Sequence, residues 1–140
     1  MKIDQVITGG GDGGESSLGD GTRLPKTHPR FAAMGDVDEL NAAVGFCLAG
    51  TADDRFAGPL TAVQQDLFDL GADLSVPVAD DDSSRDRPPL RVTAGQCVRL
   101  TEIAKELAAA QPSLTSFVLP GGSELAARAS TNSKSPSRFR

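Results

Sequence analysis

The sequence predicts an all-α protein, a helical bundle preceded by a glycine-rich loop. Three observations carry that reading. Apolar residues recur at helical spacing in three separate segments. Glycine, proline and capping signals separate those segments. More than half of the chain's 15 glycines fall within residues 8–41, before or at the entry to the first helix.

The first helix is expected over 30–49. Ala33, Val37, Leu40, Val44 and Cys47 recur at i, i+4, i+7, i+11 and i+14, one helical face, and Gly50 ends it. Asp36, Asp38 and Glu39 lie early in it, where negative charge suits the positive end of the helix dipole. The second helix is expected to start at Phe56 or Pro59 and to end at Leu74. Leu60, Val63, Leu67, Leu70 and Leu74 form a 3-4-3-4 seam of the kind that packs against a second helix. Residues 75–92 read as a loop, with Pro77, the acidic run Asp80-Asp81-Asp82 and Pro88-Pro89.

The third helix opens on the capping box Thr93-Ala94-Gly95-Gln96. It carries Cys97, Leu100, Ile103, Ala104 and Leu107 on one face and stops before Pro112. A fourth start signal, Ser123-Glu124-Leu125, is abandoned after about two turns. Residues 130–140, STNSKSPSRFR, have no apolar period and read as disordered. Ahead of the helices, residues 3–7 suit a short strand or an extended lead-in, and residues 22–29 read as irregular. His28 is expected to be a solvated loop residue.

Composition limits the partners. A chain of 140 residues suits one domain with a core that needs no disulfides or metals. The formal net charge is −5, and Trp and Tyr are absent. An acidic chain without a basic stripe or stacking residues is a poor nucleic-acid binder. No segment approaches the roughly 18 apolar residues of a membrane span. No signal-peptide core follows the N-terminus, so a cytoplasmic location is expected. Cys47 and Cys97 both fall in helical patterns and read as buried free thiols.

The glycine-rich loop is the candidate site. Glycine exposes backbone N–H groups and lets an anion approach closely. Lys26 lies downstream to meet the same anion. Three other motifs fit the loop only in part. Gly9, Gly11 and Gly14 match G-x-G-x-x-G, but no helix follows directly. Glu15 stands where a P-loop needs lysine. Asp12, Glu15 and Asp20 lack the spacing of a calcium loop. A flexible linker would explain the glycines but not the Thr8, Ser16-Ser17, Arg23 and Lys26 that punctuate them.

Taken together, Thr8, Gly11-Asp12, Gly14, Ser16-Ser17-Leu18, Gly21, Arg23, Lys26, Arg30, Ala33, Gly35 and Asp38-Glu39-Leu40-Asn41 resemble the opening of the ATP:corrinoid adenosyltransferases of the PduO type. The helix containing Gln65-Asp66-Leu67-Phe68-Asp69-Leu70-Gly71-Ala72-Asp73-Leu74 and the run from Phe117 through Pro120-Gly121-Gly122 to Ala126 resemble the same family. The likeness covers residues 3–129 in order. Several motifs in register make it specific.

The resemblance implies a homotrimeric bundle, five helices in the family and here about three plus a stub, with sites at subunit interfaces. It implies transfer of the 5′-deoxyadenosyl group of ATP to cob(I)alamin with Mg²⁺, giving adenosylcobalamin and triphosphate. On that reading the N–H groups of Thr8, Gly9, Gly10 and Gly11, the Ser16 and Ser17 hydroxyls and Lys26 receive the triphosphate. Asp12 either helps to hold Mg²⁺ or fixes the loop. Phe117 lies against the lower corrin face and displaces the axial ligand, unless it is an ordinary core phenylalanine. Asp38 pairs with an arginine of a neighbouring subunit, or serves only the helix dipole.

The family continues past Arg128 into an arginine-rich run, R-x-x-x-R-R-A-E-R. Residues 130–140 do not carry it. The expected organisation is therefore an incomplete domain over 1–129 and a divergent tail over 130–140, with impaired activity. The alternatives are a non-catalytic binder of ATP or corrinoid, or a helical interaction protein.

Overall fold

In a computed structural model, residues 7, 9–51, 54–79, 88–117, 122 and 126 are described. They form three helices and a small two-stranded sheet: β1 (Glu15–Ser17), β2 (Arg23–Pro25), α1 (Pro29–Gly50), α2 (Asp54–Ser75) and α3 (Ala94–Ala109). The predicted helical bundle is present. Apart from Ile7 and Ala126, the expected lead-in strand and stub helix lie outside the described residues, as do the middle of the 75–92 loop and the 130–140 tail.

The sheet is an addition that the sequence reading did not anticipate. β1 and β2 pair antiparallel, with Glu15 opposite Pro25, Ser16 opposite Leu24 and Ser17 opposite Arg23. The stretch expected to be irregular thus contains β2. Strands of three residues are too short to show period-two alternation, so the flanking glycines hid the hairpin. Its connection is closed by Leu18 N–H to Thr22 O (2.8 Å) and Gly21 N–H to Leu18 O (3.0 Å). Thr22 N–H also donates to Asp20 Oδ1 at 2.9 Å.

α1 opens on His28, whose Nδ1 accepts from Arg30 N–H at 3.2 Å, with Pro29 in the first turn. His28 is therefore a half-buried cap and not a solvated loop residue. Its imidazole satisfies one of the orphan donors of the helix N-terminus.

α1 and α2 make the main helix–helix contact. On α2 every residue of the predicted Leu60–Leu74 seam is half-buried. On α1 the buried positions are Asn41 and Cys47, while Leu40 is half exposed. The expected α1 face otherwise holds, with Ala33, Val37 and Val44 half-buried and Cys47 buried, and Asn41 takes the place of Leu40. The cause is polar. Gln64 Nε2 donates to Asn41 O at 3.1 Å, and Asn41 Nδ2 donates to Gln64 O at 3.4 Å. Gln64 fits because Gly45 has no side chain; a Cβ there would lie 3.0 Å from Nε2.

The far ends of α1 and α2 are joined as well. Arg30 of the first α1 turn donates to Leu74 O at 2.7 Å, filling a carbonyl that the end of α2 leaves open. Gly19 N–H donates to Ser75 O at 2.8 Å. A Cβ on Gly19 would lie 2.7 Å from Ser75 Oγ, so the hairpin needs glycine at this contact. Leu18, 5% exposed, is the apolar anchor beside it.

α3 is held mainly through polar groups at its start. The predicted capping box forms, with Thr93 N–H donating to Gln96 Oε1 at 2.7 Å. Gln96 Nε2 then donates to Asp69 (2.8 Å) and Asp66 (3.1 Å) of α2, and Arg99 pairs with Asp66. No α3 residue is fully buried. Its half-buried residues are Gln96, Ile103 and Leu107, whereas Leu100 and Ala104 of the expected face are exposed. Cys47 is a buried free thiol as expected, but Cys97 is exposed for the same reason. Before α3, Arg91 donates to Asp73 Oδ1 (2.8 Å) and Val76 O (2.7 Å), and Val92 N–H donates to Asp73 Oδ2 (2.8 Å). Two hydrogen bonds and the Arg91 charge hold the Asp73 carboxyl below its ordinary range, the Val92 amide having the largest effect.

Candidate active site

The glycine loop turns back on itself twice before β1. Asp12 N–H donates to Gly9 O at 3.1 Å, and Gly14 N–H donates to Gly11 O at 3.2 Å. Gly9 (φ +67) and Gly14 (φ +87) occupy the left-handed region, which only glycine enters freely. Lys26, just past β2, is tied back by its N–H to Gly14 O at 2.8 Å. Its side chain then runs across Gly11. A Cβ on Gly11 would meet Lys26 Cε and Nζ at 3.0 Å each. The ammonium therefore stands directly over a bare backbone, which is the arrangement a phosphate needs.

Arg23 braces the loop from outside. Its Nη2 donates to Gly10 O at 3.0 Å, its Nε to Glu15 Oε2 at 3.4 Å and its Nη1 to Ser17 Oγ at 3.4 Å. Glu15, which disqualified a P-loop, is thus partly neutralised by a cross-strand arginine. Successive strand residues face opposite sides, so Ser16 and Ser17 do not present their hydroxyls together. Ser16 is half-buried, and Ser17 is exposed on the Arg23 side. Thr8, the first of the expected triphosphate contacts, lies outside the described residues.

The structure unites Gly9, Gly10, Gly11 and Lys26 in one cradle with the hairpin as its base. It does not join Asp38 or Phe117 to that cradle. Asp38 lies nine residues into α1, roughly 14 Å along the axis from its first residue. It lines an open hollow of ≈ 250 Å³ with Asn41, Ala42, Gln64 and Phe68. Among the described residues its carboxylate makes no ion pair. Phe117 is wholly exposed.

Sequence reasoning missed the Arg23 clamp and the Gly19 contact. The available signal was Gly19-Asp20-Gly21 between Glu15 and Arg23, a turn between opposite charges. No group of three or more His, Cys, Asp or Glu able to hold a metal occurs among the described residues. A dedicated all-protein metal site is therefore absent there. A metal that arrives with phosphate oxygens needs only one or two carboxylates. Asp12 is the loop carboxylate that could take that minimal role; its Oδ2 lies 3.5 Å from the Cβ position of Gly9.

The family model of the cobalamin adenosyltransferases matches residues 6–132. The chain belongs to this family. It is 42% identical over 128 residues to the corrinoid adenosyltransferase of Mycobacterium leprae (strain TN), covering 91% of this chain and 67% of that protein. It is 40% identical over 125 residues to the corrinoid adenosyltransferase PduO of Salmonella typhimurium, covering 88% of this chain and 35% of that one. The fold is similar to a phenylalanine-to-histidine variant of a PduO-type ATP:corrinoid adenosyltransferase from Lactobacillus reuteri, complexed with cobalamin and ATP. The TM-score is 0.77 at 32% identity, covering 91% of this chain and 68% of the other. An arginine-to-lysine variant of the Lactobacillus reuteri enzyme complexed with ATP gives 0.74 at 33% identity, with 93% and 72% covered. The chain thus spans about two thirds of the length of its mycobacterial relatives. As a cobalamin adenosyltransferase family member it carries the glycine loop and the first helices within the matched region. No helix of the described residues is long and apolar enough to cross a membrane.

Proposed function

We propose that this chain binds the triphosphate of ATP in the 9–26 cradle and acts in transfer of the 5′-deoxyadenosyl group to cob(I)alamin. The observation that carries the reading is Lys26 standing 3.0 Å from the Cβ position of Gly11. In the reaction Co(I) attacks C5′ of ATP, a Co–C bond forms, and the C5′–O bond breaks with its electron pair passing to triphosphate. The protein's task is to position the partners and to stabilise charge on the leaving group. Lys26, the loop N–H groups from Thr8 to Gly11 and the Ser16 hydroxyl serve that end. Mg²⁺ would accompany the phosphates, and Asp12 would either help to hold it or fix the loop. Phe117 covers the lower corrin face, and Asp38 meets an arginine of a neighbouring subunit in a homotrimer. The location served is the cytoplasm. The structures of PduO-type relatives complexed with cobalamin and ATP support the substrate pair.

A second reading, binding without turnover, is favoured by residues 130–140, which do not carry the arginine-rich run implied by the family likeness. Loss of one preorganised donor costs about 10²–10³ in rate. Purified chain is incubated with ATP, Mg²⁺ and chemically reduced cobalamin, and Co–C bond formation is followed by absorbance. Thermal stability with and without ATP is measured alongside. Turnover supports the enzyme reading, and ATP stabilisation alone supports the binder. Absence of both refutes the cradle.

A further inference from the structure

Arg23 touches three groups of the loop region, and one of them is a peptide carbonyl for which it supplies a hydrogen bond among the described residues. Gly9 and Asp12 are the ends of a four-residue turn closed by Asp12 N–H to Gly9 O at 3.1 Å. The two central residues are Gly10 and Gly11. Such a turn has two common forms, which differ by a half-rotation of the central peptide. The second form requires positive φ at the third residue, and glycine adopts it without steric cost. With glycine at both central positions, local sterics do not choose between them. Here Gly11 does not have positive φ, whereas Gly9 and Gly14 do. The carbonyl of Gly10 is held by Arg23 Nη2 at 3.0 Å. A trans peptide directs C=O and N–H oppositely. The grip on Gly10 O therefore turns Gly11 N–H away from Arg23.

We infer that Arg23 is the positioning residue of the phosphate cradle: it locks the Gly10–Gly11 peptide so that Gly11 N–H is presented to the triphosphate. Glu15 and Ser17 steer the guanidinium, and Lys26 supplies the charge on the same glycine. This rests on the proposed triphosphate reading. The arginine is suited to the task because its rigid fork reaches Gly10 O, Ser17 Oγ and Glu15 at once. A lysine cannot fill three divergent acceptors in fixed geometry. Reversal of the peptide would aim the Gly10 carbonyl, an acceptor, at an anion.

The test uses the full chain as Arg23→Met and Arg23→Lys beside the native protein. Amide spectra of ¹⁵N-labelled, ligand-free samples report on Gly10, Gly11 and Asp12. Calorimetry with inorganic tripolyphosphate reports on the cradle. The expected result is that both variants shift or broaden the Gly11 and Asp12 amides, leave the α1 and α2 amides in place, and bind tripolyphosphate at least tenfold more weakly. Two outcomes overturn the lock. One is an unchanged Gly11 amide in Arg23→Met. The other is native-like affinity in Arg23→Lys, which would make Arg23 a simple phosphate-facing charge. If the native chain itself binds no tripolyphosphate while the ligand-free spectra still separate it from Arg23→Met, the cradle reading is overturned. The presenting role of Arg23 then falls with it.

Discussion

Gly11 and Lys26 are a matched pair, and each can be tested against the other. Lys26→Met removes the ammonium but keeps the aliphatic stem. A charge-assisted contact of this type contributes roughly 1.5–3 kcal/mol, so tripolyphosphate affinity should fall about 10- to 100-fold with little change in Tm. Gly11→Ala keeps the ammonium but places a methyl within 3.0 Å of Lys26 Cε and Nζ and 3.2 Å of Glu15 O. Calorimetry should show weakened binding here too; native affinity in both variants would refute the cradle. Glycine and lysine were legible as residue types suited to an anion, but their meeting was not, because Gly11 and Lys26, like Arg23 with Gly10 and Glu15, come together only after a hairpin forms. His28 was misread because capping depends on where the helix starts, and Pro29 as the first helical residue was the overlooked clue.

The helices differ in how well pattern predicted packing. The α2 seam was right because α2 is central, with α1 and α3 both packed against it. On α1 the expected face holds except at Leu40, where Asn41 is buried instead and exchanges hydrogen bonds with Gln64, an arrangement that hydrophobic spacing cannot reveal. Gln64→Ala should therefore destabilise the α1–α2 contact by roughly 1–2 kcal/mol in urea unfolding, since it removes a half-buried donor from Asn41 O. A cost below a few tenths would show that apolar packing alone sets the α1 face. The 73–92 connection is fastened by Asp73. Its folded pKa is depressed, so its contribution is present in full above the ordinary carboxylate range and is lost as pH falls through that range toward the folded value. Asp73→Asn should cost roughly 1–2 kcal/mol at pH 7, with the gap to the native chain narrowing at pH 3. A gap independent of pH would show that the charge is not what matters. Sequence reading identified this stretch as a loop but could not show that its two ends are clamped.

At the scale of the whole molecule, little is fully buried. Leu18 and Cys47 are the only buried hydrophobic residues among those described, while Phe46, Phe68, Val98 and Leu100 stay at least about half exposed. The proposed trimer would cover such surface, and association stabilises by mass action. Light scattering should then give a mass above the monomer, and Tm should rise with protein concentration; a concentration-independent Tm would count against it. The bundle class was legible from three apolar periods, but which faces stay open was not, because that depends on how helices meet. The Gly19–Ser75 contact has a consequence for the history of the chain. Every described cradle residue has been synthesised by position 26, yet the surface on which the hairpin rests arrives only with residues 74 and 75. A nascent chain that stops before α2 holds the loop and nothing to brace it against. The brace under the site is thus a contact of high sequence separation, which loop-closure entropy makes slower to form than the hairpin itself.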